Sequence, residues 1–335
     1  MHTGKSYKLP EFLVWTRRTI YVLVILSVVP VVLYQWLGLK WLVMPWGVVF
    51  LLGASVALSA GFKNTQTFNR LQEAQQSWAS IVSLSRAWGV MCRDSIADPE
   101  QARRLVYRHL AWLAALRHQM REVKPWENVG KANNAEYRRL YSIPERERTL
   151  ESELERYIPE SEAAQVLASD SRAVQVLSLQ SAQIRQLLAQ GLLTPAQFVD
   201  LQKMLRELIE QQSRGERIKN FPYPRQHAFI NTLFVRIMCF LLPFGMIGEV
   251  ERLNDAVDGW AKGHMVWMCV PLSLLISWMY TSLDQVGEST ENPFEGGAND
   301  VPISHISEQI ETELREMLGE SHVPSPARRS GDIAV

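Results

Sequence analysis

The amino-acid sequence predicts an all-α membrane protein with four membrane-spanning helices and a helical domain outside the bilayer. Four stretches are apolar, and at about 1.5 Å per residue they are long enough to cross a hydrocarbon core of about 30 Å. The mean hydropathy of the whole chain is nevertheless −0.09, so the other residues must be polar. No stretch alternates apolar and polar residues as a half-buried strand does.

Composition and motifs argue against several other classes of protein. Basic and acidic residues both number 35, and this balance is not typical of a chain whose main role is nucleic-acid binding. The cysteines Cys92, Cys239 and Cys269 form no C-x-x-C pair, and the histidines form no H-E-x-x-H motif. No glycine-rich phosphate loop and no G-x-S-x-G motif occur. We therefore expect no enzyme activity, no cofactor and no metal centre.

The first two spans form a helical hairpin. Residues 20–37 contain Pro30, and only three residues separate them from the second span, 41–62. Basic residues such as Arg18 and Lys63 flank both free ends, so the positive-inside rule places both ends in the cytoplasm. The expected units are a cytoplasmic N-terminal segment (1–18), the first and second transmembrane helices (19–62), a helical cytoplasmic domain (63–227), the third and fourth transmembrane helices (228–283), a cytoplasmic tail loop and helix (284–318) and a disordered C-terminus (319–335).

The second span has an unusual composition in its second half. Seven of the ten residues 53–62 are small, as in helices that pack closely against neighbours in a membrane. Ala54, Leu58 and Phe62 follow at spacing i, i+4, i+8 and therefore share one face. This apolar stripe either packs on another helix or lines a hole, and the residues alone favour packing.

The domain 63–227 reads almost entirely as helix. Asp98 followed by proline predicts one helix start, and Thr194 with its capping box predicts another. Between them, residues 161–190 are expected to form one long helix that ends at Gly191.

Two stretches of this domain are assigned no functional site. The charged run 146–154 is interpreted as a solvated helix face, and 215–224 as a basic connector.

The third span is 228–247 and the fourth is 265–283. The loop 248–264 between them is net acidic, which is typical of the outer side of a membrane.

Arg236 lies within the third span, about eight residues from its cytoplasmic end. Ionisable side chains in membrane segments are costly and usually face a partner or a water-filled cavity. The sequence leaves open whether Arg236 forms an ion pair between helices or lies near a permeation route.

The chain after the fourth span is a weak candidate for cation binding. Calcium prefers several carboxylate and carbonyl oxygens within a short loop, but no D-x-D-x-D-G spacing occurs here. Acidic residues in loops are usually only solvated. The acids in question are Asp284, Glu288, Glu291, Glu295 and Asp300.

Three motifs in this order, on a frame of four spans, resemble the bestrophin family and its bacterial branch in particular. The resemblance covers roughly residues 5–318. The motifs are Gly61-Phe62-Lys63-Asn64 with Phe68-Asn69-Arg70, Glu216-Arg217-Ile218-Lys219-Asn220 with Pro222 and Pro224, and Glu291-Asn292-Pro293-Phe294 with Asn299-Asp300-Val301-Pro302.

The resemblance implies a homopentameric ion channel in the bacterial inner membrane, with both termini in the cytoplasm. The second helix of each subunit would line one central pore, with an apolar neck at Ala54, Leu58 and Phe62. This reverses the preference for packing given above. A second constriction would lie near Ala196. The permeant species would be small monovalent ions, with chloride favoured, although bacterial relatives include cation-conducting members. The alternative from another class is a non-conducting, membrane-anchored helical scaffold or sensor.

Departures from the family pattern affect the details. Leu71-Gln72 stand where the family usually has two tryptophans, and Ala54 is smaller than the usual aliphatic residue, so its ring should be wider. Vertebrate relatives carry an acidic run after Asn-Pro-Phe that helps to bind calcium, and here only Asn292 and Asp300 remain, with Glu295 nearby. We therefore expect at most weak calcium binding, a role for this loop as a structural brace between subunits, and channel activity without calcium.

Overall fold

A computed structural model of the chain describes residues 1–4, 7–128, 130–131, 134, 141–321 and 333–334. The described part is helical, with one isolated antiparallel bridge between His2 and Ile333 and no strand within these ranges. Most of the C-terminus expected to be disordered lies outside the described residues. The α-helices are α1 (Leu9–Gln35), α2 (Trp46–Ser95), α3 (Pro99–Arg121), α4 (Pro144–Glu147), α5 (Leu150–Leu154), α6 (Glu160–Leu167), α7 (Arg172–Ala189), α8 (Pro195–Asn220), α9 (Arg225–Glu251), α10 (Cys269–Ser289) and α11 (Ile303–Met317).

Four helical segments are long and apolar enough to cross a membrane, which confirms the expected number of spans. They correspond to α1, the first part of α2, α9 and α10. These helices pack on one another around a shared apolar core that includes Val49, Val56, Cys239 and Leu242. Large apolar side chains remain exposed on the outer faces of α1, α9 and α10, as expected for surfaces that contact lipid.

The second span differs from the expectation at both ends. Lys40–Leu42 form a short 3₁₀ turn, and α2 begins only at Trp46, after Pro45. Proline fixes its own φ and biases the preceding residue towards extended conformations, so the helix starts after it. At its other end α2 continues without a break to Ser95. The proposed boundary between Phe62 and Lys63 therefore lies inside a single helix of 50 residues, about 75 Å long.

The second part of α2 and the helices after it form a second apolar core, centred on α3. Trp78, Trp88 and Trp112 are fully buried there, and the Trp112 indole donates to Gln212 Oε1 at 2.8 Å. The predicted helix starts at Asp98 and Thr194 are confirmed: Asp98 accepts from Glu100 N, and the capping box at Thr194 is complete.

Two helix boundaries in this domain were predicted wrongly. The expected helix 161–190 is two helices, because the chain leaves helical geometry around Ser171 between α6 and α7. Gly191, with φ of +73°, ends the second one as expected. The helix α8 continues to Asn220, so the first six residues of the predicted connector 215–224 are helical.

The charged run 146–154 is not simply a solvated face. Glu153 is buried, as is Glu145 just before the run, and both carboxylates accept from Arg117 on α3, at 2.8 and 2.6 Å. Ser304 at the start of α11 donates to the same Glu145 carboxylate at 2.7 Å. This buried cluster joins α3, α4, α5 and the tail helix. Sequence reasoning missed it because an ion pair between separate helices leaves no local pattern.

The buried carboxylates of this cluster make stability depend on pH. Burial alone would raise the pKa of Glu145, but Arg117 and Arg121 outweigh it and lower the pKa below the ordinary 4.5. Burial is likewise outweighed at Glu153, where His118 and Arg117 lower the pKa. The contribution of these carboxylates to folding is therefore complete above pH 4.5 and is lost as the pH falls through their lower folded pKa values.

We predict that Arg117→Met lowers stability by about 3–5 kcal/mol at pH 7, because it leaves two buried carboxylates without their cation. The triple variant Arg117→Met/Glu145→Gln/Glu153→Gln should lose less stability between pH 5 and pH 3 than the wild type does. Thermal unfolding of the full chain in detergent measures both effects. Arg93→Met, which breaks an exposed ion pair with Asp94, is the matched control and should change little. An equal loss in the two arginine variants would contradict the role of the cluster.

Candidate functional site

The membrane part of α2 has two unlike faces. Gly53, Val56 and Ala60 are buried against α9 and α10, where the Tyr280 hydroxyl donates to Gly53 O at 3.0 Å. A side chain at position 53 would meet Met238 Cε at 2.9 Å, so the helices approach closely. Within one chain, this face of α2 is therefore completely used for packing.

The opposite face of α2 carries the predicted neck stripe and is uncovered in the single chain. Leu58 and Phe62 are 63% and 65% exposed, and Ala54 is exposed as well. Ser55 lies beside them, with its hydroxyl donating to Leu51 O in the same helix at 2.9 Å. The structure thus excludes packing of the stripe on another described helix of the same chain.

A groove of about 720 Å³ runs between this stripe and the beginning of α9. Leu58 and Phe62 line one part of the groove, and Gln66 and Asn69, further along α2, line the next part. A surface of small, hydroxyl and amide side chains at membrane depth suits water or another protein chain better than lipid tails.

A buried polar cluster lies directly below the neck stripe. Lys63 is 3% exposed, and its ammonium group donates to Asp284 Oδ1 on α10 at 2.7 Å. The Asn231 amide and the Thr232 hydroxyl of α9 donate to the same carboxylate at 2.8 and 2.9 Å. Sequence reasoning used Lys63 as a topology signal and as part of a family motif, and Asp284 as a weak cation ligand, whereas the structure pairs them with each other.

Arg70 of the first motif joins three parts of the chain. Its guanidinium donates to the carbonyl oxygens of Ile218 and Phe221 at the end of α8, the latter at 2.6 Å. Its Nε donates to Glu291 O after α10 at 2.9 Å. Arg70 therefore satisfies helix-end carbonyl groups, and all three family motifs meet through it.

Arg236 lies on the exposed face of α9, among large apolar side chains such as Leu233 and Phe240. Within the described part of the chain, no carboxylate forms an ion pair with it. The contacts of Met238 with position 53 and of Asn231 with the Lys63 cluster fix the relative depth of α9 and α2. Arg236 consequently lies level with the α2 residues between 55 and 58.

The remaining candidates, Asn292 and Asp300, lie in the loop before α11 and are buried. Asp300 Oδ2 accepts from Gly296 N and Gly297 N at 2.8 Å each, so the carboxylate closes its own turn. Burial raises the pKa of Asp300, against the opposing effect of Arg121. Among the described residues, no group of three or more histidine, cysteine, aspartate or glutamate side chains is arranged to hold a metal ion.

Comparison with known proteins gives a consistent family. A family model described as bacterial/fungal bestrophin protein matches residues 14–316. The voltage-dependent anion channel-forming protein YneE of Escherichia coli K12 is 24% identical, over 87% of this chain and 82% of that protein. A Mesorhizobium japonicum protein named in the same way, mll4386, is 25% identical over 83% of this chain and 75% of its own length.

Solved structures agree with this comparison. The crystal structure of a bacterial bestrophin homolog from Klebsiella pneumoniae is 25% identical, covers 91% of this chain and 99% of its own, and superposes with a TM-score of 0.75. The resemblance drawn from the three motifs is therefore confirmed, and so is the expectation that the protein is not an enzyme. Because the family model matches most of its length, this chain belongs to the bacterial and fungal bestrophin family of ion channels.

Proposed function

We propose that five copies of this chain assemble around α2 and conduct small monovalent anions, such as chloride, passively through an apolar neck. The observation that carries the proposal is the exposed stripe of Ala54, Leu58 and Phe62 on a helix whose other face is fully packed. The four spans of one chain are packed on each other and enclose no channel of their own among the described residues. Several copies of a helix that is rich in small residues can together enclose a channel, and the family resemblance favours five copies.

The apolar side chains of the neck would control ion conduction. Rings of Leu58 and Phe62 would narrow the pore, and a narrow apolar constriction loses its water and then blocks ions. The ring of Ala54 would be wider, because its side chain is a single methyl group. Gln66 and Asn69 continue the same exposed face and would present amides to ions below the neck.

Arg236 supports anions over cations. A guanidinium at the depth of residues 55–58, without a carboxylate partner in the described chain, would attract anions and repel cations in an assembly that turns this face of α9 towards the pore. The relatives named as anion channel-forming proteins agree in sign. The domain 63–227 also has more lysine and arginine than aspartate and glutamate.

Purified protein in liposomes tests the proposal directly. We expect anion flux in the presence of a strong calcium chelator, and a reversal potential under a salt gradient that reports anion permeation. Arg236→Gln should move the reversal potential towards the cation value, because it removes the charge at neck depth. The control is Arg252→Gln. Arg252 lies just after α9 and forms an exposed ion pair with Glu249 near the end of that helix. Absence of flux would favour the non-conducting scaffold, and a cation reversal potential in the wild type would favour a cation channel.

Substitutions in the stripe test the neck. Leu58→Ala and Phe62→Ala should raise flux at least about threefold, since removing bulk from an apolar constriction lets water enter, while Ala54→Ile should lower it. Single-channel recordings or liposome flux at equal protein density measure this. Val48→Ala, an exposed residue of α2 above the stripe, serves as the control. Three properly assembled variants with unchanged flux would contradict the neck.

Cysteine labelling tests the orientation. We expect single cysteines at Lys40 and at Asp258, both exposed, to react with a membrane-impermeant reagent from outside the cell. A cysteine at Arg172 in the helical domain should react only after lysis. The native cysteines are buried and should contribute little background. Labelling of position 172 in intact cells would show that the orientation is reversed.

A further inference from the structure

We propose that the contact between α2 and α10 below the neck is a positioning device that sets the orientation of Phe62, with the Lys63–Asp284 ion pair as its main element. This inference rests on the proposed function. The device consists of four side chains of α2 and the segment of α10 and its following loop that they contact. They are Lys63, Asn64, Thr67 and Arg70 on one side and Leu283, Asp284, Thr290 and Glu291 on the other.

The contacts form an ordered series along the two helices. Lys63 binds Asp284, and Arg70 binds the backbone carbonyl of Glu291 at 2.9 Å. The two residues of α2 are seven positions apart, and so are their two partners. Because seven residues make about two helical turns, Lys63 and Arg70 lie on the same side of α2, and their partners lie near the end of α10 and just after it.

Two weaker contacts accompany the Lys63 and Arg70 contacts. The Asn64 amide donates to the carbonyl oxygen of Leu283 at 3.2 Å, and the Thr67 and Thr290 hydroxyl groups lie 3.2 Å apart. The four contacts together oppose both rotation and sliding of α2 relative to α10.

The helices approach closely at this point, beside Gly287, and a side chain there would displace the Asn64 amide. A Cβ atom at Gly287 would lie 2.1 Å from Asn64 Oδ1 and 3.6 Å from Lys63 Cε. Gly287 is in the middle of the contact, between Asp284 and Glu291. The close approach and the polar contacts therefore support each other.

The position of this device relative to the neck gives it a functional consequence. Phe62 immediately precedes Lys63 in an unbroken helix, yet Phe62 is 65% exposed and Lys63 is 3% exposed. A rotation of α2 that released Lys63 from Asp284 would turn the Phe62 ring away from the groove by the same angle. The positioning device thus determines the direction in which the Phe62 side chain points.

The charges around Asp284 are arranged to hold Lys63 in place. The carboxylate accepts from Lys63, Asn231 and Thr232, which belong to α2 and α9, so three transmembrane helices meet at one group. Without the carboxylate charge, the buried ammonium loses its counter-charge, and the groove beside Phe62 is the nearest route to water for it.

The first test uses the accessibility of position 62 and requires no ion flux. In a Phe62→Cys background, Asp284→Asn should change the rate of reaction with a charged thiol reagent in detergent at least about threefold, as expected when a side chain leaves or enters a constricted site. Glu288→Gln, which breaks the pair with Lys131 one turn further along α10, is the matched control and should not change the rate. Lys63→Arg, which keeps the charge pair, should retain the rate of the parent protein. Equal rates in the Asp284→Asn and parent proteins would overturn the proposal.

The second test is a double-mutant cycle on flux in liposomes. Asp284→Asn alone should raise flux at least about threefold, and this effect should vanish in a Phe62→Ala background, since residues that act through one another are not additive. An effect that persists in the Phe62→Ala background would mean that the freed Lys63 charge acts on ions directly, and would overturn the positioning role. If Asp284→Asn fails to assemble, Thr232→Val removes one of the three donors and should shift both readouts in the same direction. A wild type without flux contradicts the channel, whereas an unchanged reaction rate at position 62 contradicts the positioning device alone.

Discussion

The Lys63–Asp284 ion pair is the interaction on which the arrangement of the membrane helices depends. Burying two charges is costly, and the cost is offset only when the geometry is good and the remaining polar atoms are also paired. Here the carboxylate accepts from three donors on two helices, at 2.7 to 2.9 Å. The result fixes α2, α9 and α10 relative to one another at one level of the structure. Helix packing in lipid gains nothing from apolar surface as such, so a specific polar contact of this kind can decide the register.

The length of α2 makes that register relevant to the rest of the molecule. The helix passes from the membrane core into the core of the helical domain without interruption, and its buried face continues through Ala74, Trp78 and Trp88. Near its end, a side chain at Gly89 would meet Leu314 Cδ2 of α11 at 2.4 Å, so the tail helix packs directly on it. The neck stripe and Lys63 thus belong to α2, and the tail helix packs on the same helix. The buried Arg117 cluster holds the tail helix from the other side through Ser304 and Glu145.

The tail loop between α10 and α11 is also explained by this arrangement. Arg70 holds the beginning of the loop through Glu291 O, and Arg121 donates to Phe294 O at 3.0 Å. Asp300 closes the turn around Gly296 and Gly297 with its own carboxylate. The loop is therefore fastened by arginine side chains to backbone carbonyl groups, in keeping with a bracing role.

The sequence by itself determined the features that depend on local pattern. The number of spans, the helix starts at Asp98 and Thr194 and the family motifs follow from composition, capping chemistry and spacing within a few turns. It also showed that Ala54, Leu58 and Phe62 share a face, because a helix period is visible in one chain. Tertiary structure alone decided that no described part of the same chain covers that face, where the long helices break, and which charges meet. Lys63 pairs with Asp284 and Arg117 with Glu145 across distant parts of the chain, and such pairings depend on how separate helices approach rather than on any property of the segments themselves.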